Sequence, residues 1–278
     1  MVYKKPILTR DMRTIFIFLS ICISFPILSQ SGWEWQNPKP LGNLIHDIQY
    51  IDKTHGWAVG ENGTILYTDL LGNNWEIYKS PTKNILYSLF MLSTEKGWAV
   101  GQNGTILHWD GNDWTEQHSG FDGLLKGVHF INSNTGWAVG QGQAVLKTTN
   151  GGEDWTRTTS EGPEHYFGVH FLDDKKGYLC GAAGENGVIK YSSDGGSTWK
   201  IDIIPAHRMN DICMFDEGTG WAVGDEGAVF QKAHKDSTWE VQMLYNTNNL
   251  QSVSVLNPNQ AWIVGEQGTI LHTNNAGQ

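Results

Sequence analysis

Cysteine is scarce in this chain of 278 residues, with three in all (Cys22, Cys180 and Cys213). Neither a disulfide-stapled scaffold nor a cysteine-based metal site has the ligands or the spacing it needs. Charge is sparse too, at 17% of residues, and acidic side chains outnumber basic ones by 29 to 19. Four of the basic residues (Lys4, Lys5, Arg10 and Arg13) and only Asp11 of the acidic ones precede residue 31, so the remainder carries a net −13. Nucleic-acid binding rests on Lys and Arg neutralising phosphates, and this balance argues against it. The longest apolar stretch, 15–28, is interrupted by Ser20, Ser24 and Pro26, short of the roughly 18 apolar residues of a spanning helix. A basic start, that stretch and then Ser29, Gln30 and Ser31 form the pattern of a secretory signal peptide over 1–30. The expectation is an exported protein (periplasmic, lumenal or extracellular) with no membrane insertion after cleavage. With Cys22 removed, Cys180 and Cys213 either form one bridge or act as small buried apolar side chains.

What is abundant is glycine, 33 residues, and tryptophan, 13. Both are organised by a repeat. The word GWAVGENGTILYT starts at Gly56, and variants start at Gly97, Gly136, Gly177, Gly220 and Ala261, spaced 41, 39, 41, 43 and 41 residues apart. Ahead of each word runs an alternating apolar segment (46–51, 87–92, 126–131, 167–172, 210–215 and 251–256) with the period of two of a strand. The GWAVG stretch reads as a second strand. Asn62 with Gly63, Asn103 with Gly104, Asn186 with Gly187, Glu226 with Gly227 and Gln267 with Gly268 read as hairpin turns. A third strand of the TILYT type follows, and then a turn delivers Trp75, Trp114, Trp155, Trp199 or Trp239 to open a fourth.

Ten of the tryptophans occupy just two repeat positions, which marks them as core wedges between neighbouring sheets, since an indole of that size buries on the order of 150–250 Å². A period near 41 with four strands is the signature of an all-β propeller. The 248 residues from 31 to 278 hold close to six periods, so six blades are expected over 31–278, with seven as the alternative. The last repeat reaches Thr273, Asn275 and Gly277 without its tryptophan, while Trp33, Glu34, Trp35 and Gln36 precede the first. The N-terminal strand is therefore expected to complete the final blade and close the ring.

Between the third and fourth strands, Ser192, Asp194, Gly196 and Trp199 match the Asp-box of bacterial neuraminidase repeats, S/T-x-D-x-G-x-x-W, and Thr148, Asn150, Gly152 and Trp155 form a partial copy. Their expected role is structural: a short polar side chain satisfies turn amides and the tryptophan packs beneath. Together with GWAVGxxGxILxT, these boxes resemble the photosystem II assembly and stability factor family of β-propellers, over nearly all of the chain after residue 32. The resemblance implies an exported assembly factor that binds a newly made photosystem core protein through a basic surface patch.

No catalytic constellation is legible. A sialidase, as that family is known, needs three arginines on the substrate carboxylate, and only Arg157 and Arg208 follow residue 31. Other glycosidases need two carboxyls about 5–10 Å apart, which no spacing marks. HExxH, GxSxG and phosphate-loop motifs are absent, and no cofactor is implied. His129 and His170 fall at equivalent strand positions, which favours a structural role over a metal site. The residues after each VG (Glu61, Gln102, Gln141, Ala182, Asp225 and Glu266) either form an acidic ring or serve their turns. The expected function is non-enzymatic binding of a protein partner through the loops entering each first strand, with Tyr87, Lys126, His165, Tyr166, His207 and Arg208 as contacts. The alternative is a secreted propeller that binds or hydrolyses carbohydrate.

Overall fold

A computed structural model of the chain describes residues 41–159, 164–234, 237–242 and 247–277. All the described residues lie in one compact unit, 37–278. They form six antiparallel sheets. The first blade holds β1 (Ile45–Tyr50), β2 (Gly56–Gly60), β3 (Ile65–Thr68) and β4 (Glu76–Tyr78), and the second holds β5 (Leu86–Ser93), β6 (Lys96–Gly101), β7 (Ile106–Trp109) and β8 (Trp114–Gln117). The third contains β9 (Leu125–Phe130), β10 (Gly136–Gly140), β11 (Val145–Thr148) and β12 (Thr156–Arg157). The fourth contains β13 (His165–Phe171), β14 (Gly177–Ala183), β15 (Asn186–Ser192) and β16 (Lys200–Ile203). β17 (Met209–Met214), β18 (Gly220–Gly224), β19 (Val229–Lys232) and β20 (Glu240–Val241) make the fifth; β21 (Leu250–Asn257), β22 (Gln260–Gly265) and β23 (Ile270–Thr273) make a three-stranded sixth. This is an all-β propeller of six blades. The expected closing strand lies outside the described residues.

The core is distributed over the joints between blades rather than collected at one centre. Alternation along β6 sends Trp98 and Val100 toward the third blade, where they pack with Leu125, Val128 and Phe130, and sends Ala99 back toward Trp57 of the first. The stacking is close: Trp98 lies 3.4 Å from Phe130 at 6°, and Trp137 lies 3.5 Å from Phe171 at 3°. The indole N–H of Trp98 donates to the Gly151 carbonyl at 3.2 Å, and that of Trp137 to Gly195 at 3.0 Å, so each wedge is also tied to a turn of the next blade. One expected wedge is different. Trp262 is 46% exposed, whereas Trp57, Trp98, Trp137 and Trp221 are at 1% or below.

The box turns form as the motif requires. Ser192 Oγ accepts the Gly196 N–H at 2.8 Å, Asp194 Oδ1 accepts the Thr198 N–H at 2.9 Å, and Trp199 Nε1 donates to the Gly196 carbonyl. Thr148 Oγ1 receives the Gly152 N–H at 2.8 Å, Asn150 receives that of Asp154, and Trp155 packs edge-on to Phe130. The hairpin turns hold at Asn62, Asn103, Glu226 and Gln267, all with φ between 55° and 57°. The fourth blade departs from the expectation. Asn186 pairs with Ala183 inside the ladder, and the chain reverses two residues earlier, with Gly184 at φ 68°. The longer GAAGENG insert lets the strands extend before they turn. Cys180 and Cys213 are both free thiols.

Candidate axial binding site

The second glycine of each GWAVG word builds the site. A Cβ at Gly60, Gly101, Gly140, Gly181 or Gly224 would stand 1.9–2.1 Å from a carbonyl oxygen of the segment entering the inner strand. That carbonyl takes the next amide: Glu61 N–H to Leu44, Gln102 to Ile85, Gln141 to Leu124 and Asp225 to Arg208, at 2.8–2.9 Å. The close approach forces a register slip in every inner strand, between Ile45 and Asp47, Leu86 and Ser88, Leu125 and Gly127, Tyr166 and Gly168, Met209 and Asp211, and Leu250 and Ser252. Such bulges re-aim one side chain. The six extra residues are His46, Tyr87, Lys126, Phe167, Asn210 and Gln251, one from each blade, and together with Arg208 they line an axial cavity of about 350 Å³.

Two cations at this mouth rest on aromatic rings: Lys126 Nζ lies 3.2 Å from the centre of Tyr87, and the Arg208 guanidinium 5.2 Å from that of Phe167. Burial, and then the charge of Arg208, pulls the Lys126 ammonium down to about 8. Burial and Lys126 also lower His46, whose ring is 5.2 Å from Tyr87. Arg208 is held in place by Asn210 (2.9 Å) and Asp225 (3.2 Å). At the base, Asp47 Oδ2 accepts the Leu89 amide of the second blade at 2.8 Å, and Asp211 Oδ2 accepts Val253 N–H and the Ser252 hydroxyl of the sixth. Desolvation raises Asp47 to about 6, with a further push from Asp211. Deeper still, the rings of His129 and His170 lie 4.5 Å apart, and desolvation pulls both well down, His170 to about 4.

This arrangement is suited to holding a polar ligand against rings and cations. The carboxylates already serve as acceptors that tie one blade to the next, and the histidines are neutral. Among the described residues no group of three or more His, Cys, Asp or Glu could hold a metal ion.

Of the residues singled out from sequence, Tyr87, Lys126 and Arg208 meet at the mouth. His165 lines a side recess of about 160 Å³ with Leu124, Lys126, Gln141 and Phe167, and its Nδ1 accepts the Gly142 amide. His207 turns outward, 3.8 Å from Glu226. Tyr166 is not a rim residue: it is 1% exposed, donates to Glu164 at 2.6 Å and accepts from Lys190 at 3.0 Å, because the slip that projects Phe167 tucks Tyr166 into the core. His46, Phe167, Asn210 and Gln251 were not singled out, although each is the first residue of an apolar segment in the repeat. Of the residues after VG, Glu61, Gln102, Gln141, Asp225 and Glu266 begin the turns while Ala182 continues β14, and Asp225 and Glu266 bond Asn210 and Asn249 beside the mouth.

An Asp-box propeller with a polar and aromatic axial mouth is thus the class of protein that fold and site define. The chain belongs to the photosynthesis system II assembly factor YCF48 family, whose profile matches residues 26–118, 110–204 and 200–278. It is 33% identical over 66 residues to the photosystem II assembly protein Ycf48 of Thermosynechococcus vestitus, a match spanning 23% of this chain and 19% of that protein. Among solved structures it is similar to YCF48 bound to D1 peptide (TM-score 0.67, 19% identity, 86% of this chain and 80% of that one) and to YCF48 from Cyanidioschyzon merolae (0.66, 17%, 86% and 84%). The GH74 enzyme of Niastella koreensis shares the fold over 85% of this chain and 44% of its own, with a TM-score of 0.68 at 17% identity.

Proposed function

We propose that this protein is an exported, non-enzymatic assembly-type propeller that holds a segment of a protein client at the axial mouth. The observation that carries this is the ring itself: each blade contributes one bulged side chain to a single cavity, and Lys126 and Arg208 lie over Tyr87 and Phe167 there. Aromatic faces accept side chains and the cations accept backbone carbonyls or carboxylates. Family membership and a solved relative bound to D1 peptide support a polypeptide ligand.

Replacing Lys126 and Arg208 with alanine is expected to abolish client capture from the exporting compartment, with the fold retained. Capture by the unaltered protein should also weaken as the pH rises through 8 and Lys126 loses its proton. Unchanged capture by the double variant would remove the mouth from the reading. Turnover of a glycoside in a hydrolysis screen would replace it with the carbohydrate alternative.

A further inference from the structure

The wall of the axial mouth is not uniform. Between the third and fourth blades it adjoins the side recess of about 160 Å³, and Lys126 and Phe167 line both spaces. The rest of the recess comes from Leu124, Gln141 and His165. Leu124 and His165 occupy one repeat position, two residues before the bulged side chain, where the other blades carry Leu44, Ile85, Arg208 and Asn249. The recess is thus built from the same positions as the mouth, in the combination of letters found at this joint.

Its chemistry differs from that of the axis. Leu124 and Phe167 give it apolar walls, and Lys126 adds its methylene stem while the ammonium rests on Tyr87, 3.2 Å from the ring centre. His165 accepts the Gly142 amide through Nδ1 at 3.1 Å, so the ring proton is carried on Nε2 and the remaining edge is a donor. A space on the order of 150 Å³ with apolar walls takes a group of benzene size, which is the bulk of one large apolar side chain. Lys126 supplies the second half of the argument. Arg208 is paired with Asp225, Lys176 with Glu217 and Lys190 with Glu164, but Lys126 has no ion pair among the described residues. A partly buried ammonium of this kind is satisfied by an acceptor that the ligand brings. Because one lysine lines both spaces, the acceptor and the apolar group must lie within a side-chain length of each other. Neighbouring residues of an extended peptide, about 3.3–3.6 Å apart, meet that condition.

We propose that the recess is the specificity pocket of the mouth: it takes one large apolar side chain of the client, and an acidic residue next to that side chain meets Lys126 and Arg208. The inference rests on the client reading and adds which client sequence the mouth prefers.

Calorimetric titration of the full chain with acetylated and amidated hexapeptides Gly-Gly-Glu-X-Gly-Gly, and with the set in which Glu and X are exchanged, tests it. In one of the two orders, X = Leu should bind about tenfold to a hundredfold tighter than X = Gly, the gain expected for burying one such side chain, and X = Lys should do no better than Gly. Gln141→Trp, which narrows the recess, should bring the Leu peptide down to the level of the Gly peptide. His165→Ala, which widens it, should move the preference from Leu to Trp. Equal binding of the Leu and Gly peptides by the unaltered protein would overturn the pocket and leave the mouth reading in place. A Leu preference that survives in a folded Gln141→Trp variant would also overturn it, by placing the apolar side chain elsewhere. Binding of no peptide would remove the polypeptide reading and the pocket with it.

Discussion

The joint between the second and third blades and the seam flanked by the sixth and the first are written with the same repeat positions, yet they differ in burial. At the joint, Trp98, Val100 and Ile106 of one blade are fully buried against Leu125, Val128 and Phe130 of the next. At the seam, their equivalents Trp262, Val264 and Ile270 are 46%, 44% and 54% exposed, and Ile45, Ile48 and Tyr50 on the facing blade are 40%, 53% and 44% exposed. A strand pattern encodes which face is apolar; it does not encode how closely the neighbour stands.

The largest effect that would sharpen this contrast is truncation of the wedge. Trp98→Ala should destabilise the fold by about 3–5 kcal/mol, the range for buried large-to-small changes, whereas Trp262→Ala should cost less than about 1 kcal/mol. Chemical denaturation of both variants measures the gap, and equal losses would show that the seam is packed in solution.

Titration offers a second contrast, within the channel. Asp47 is raised, so the folded state binds its proton more readily than the unfolded chain does between the ordinary carboxylate pKa and about 6. Its contribution is complete at low pH and is lost as the pH rises through 6. His170 is lowered to about 4, so its contribution is present above 6.5 and lost as the pH falls toward 4. The two oppose each other across pH 4–6. Asp47→Asn should therefore make stability fall more steeply on acidification, by on the order of 1–2 kcal/mol over that window. A denaturation midpoint that responds to pH as in the unaltered protein would disprove the assignment.

Smaller differences separate individual joints. Trp98 donates to Gly151, but the buried indole N–H of Trp57 has no hydrogen-bond partner among the described residues, in keeping with the second-blade turn being two residues shorter, Trp109 to Trp114 against Thr148 to Trp155. Trp98→Phe should cost about 1–2 kcal/mol more than Trp57→Phe. Smallest is the box acceptor. Thr148→Val, which leaves the buried Gly152 amide unsatisfied, should cost about 1 kcal/mol, and Thr273→Val less, because Gly277 is exposed. Thermal denaturation of the four variants ranks them.

Much of this was legible in the sequence because repetition exposes what each position does. The strands, the blade count, the boxes and the wedge tryptophans follow from a 41-residue period read against the strand period of two. The mouth was half legible. Tyr87, Lys126 and Arg208 lie at it, but Tyr166 and Phe167 exchange places relative to expectation, because a bulge shifts side-chain direction by one residue and no hydropathy pattern registers that slip. The fourth-blade turn was misplaced for a related reason: Asn186 with Gly187 is a good turn dipeptide, but Gly184 offers the required positive φ two residues sooner. The exposure of Trp262 depends on the spacing of whole sheets, which is not a property of any one repeat.

The sixfold bulge separates the holding of the wheel from the wording of its centre. Backbone amides and carbonyls hold each bulge, so apart from Asn210, whose amide donates to the Leu250 carbonyl of the sixth blade, the side chains they project leave the ladders to the backbone. A lineage is therefore free to rewrite up to five letters, one per blade, and acquire a new ligand preference while every sheet stays in register.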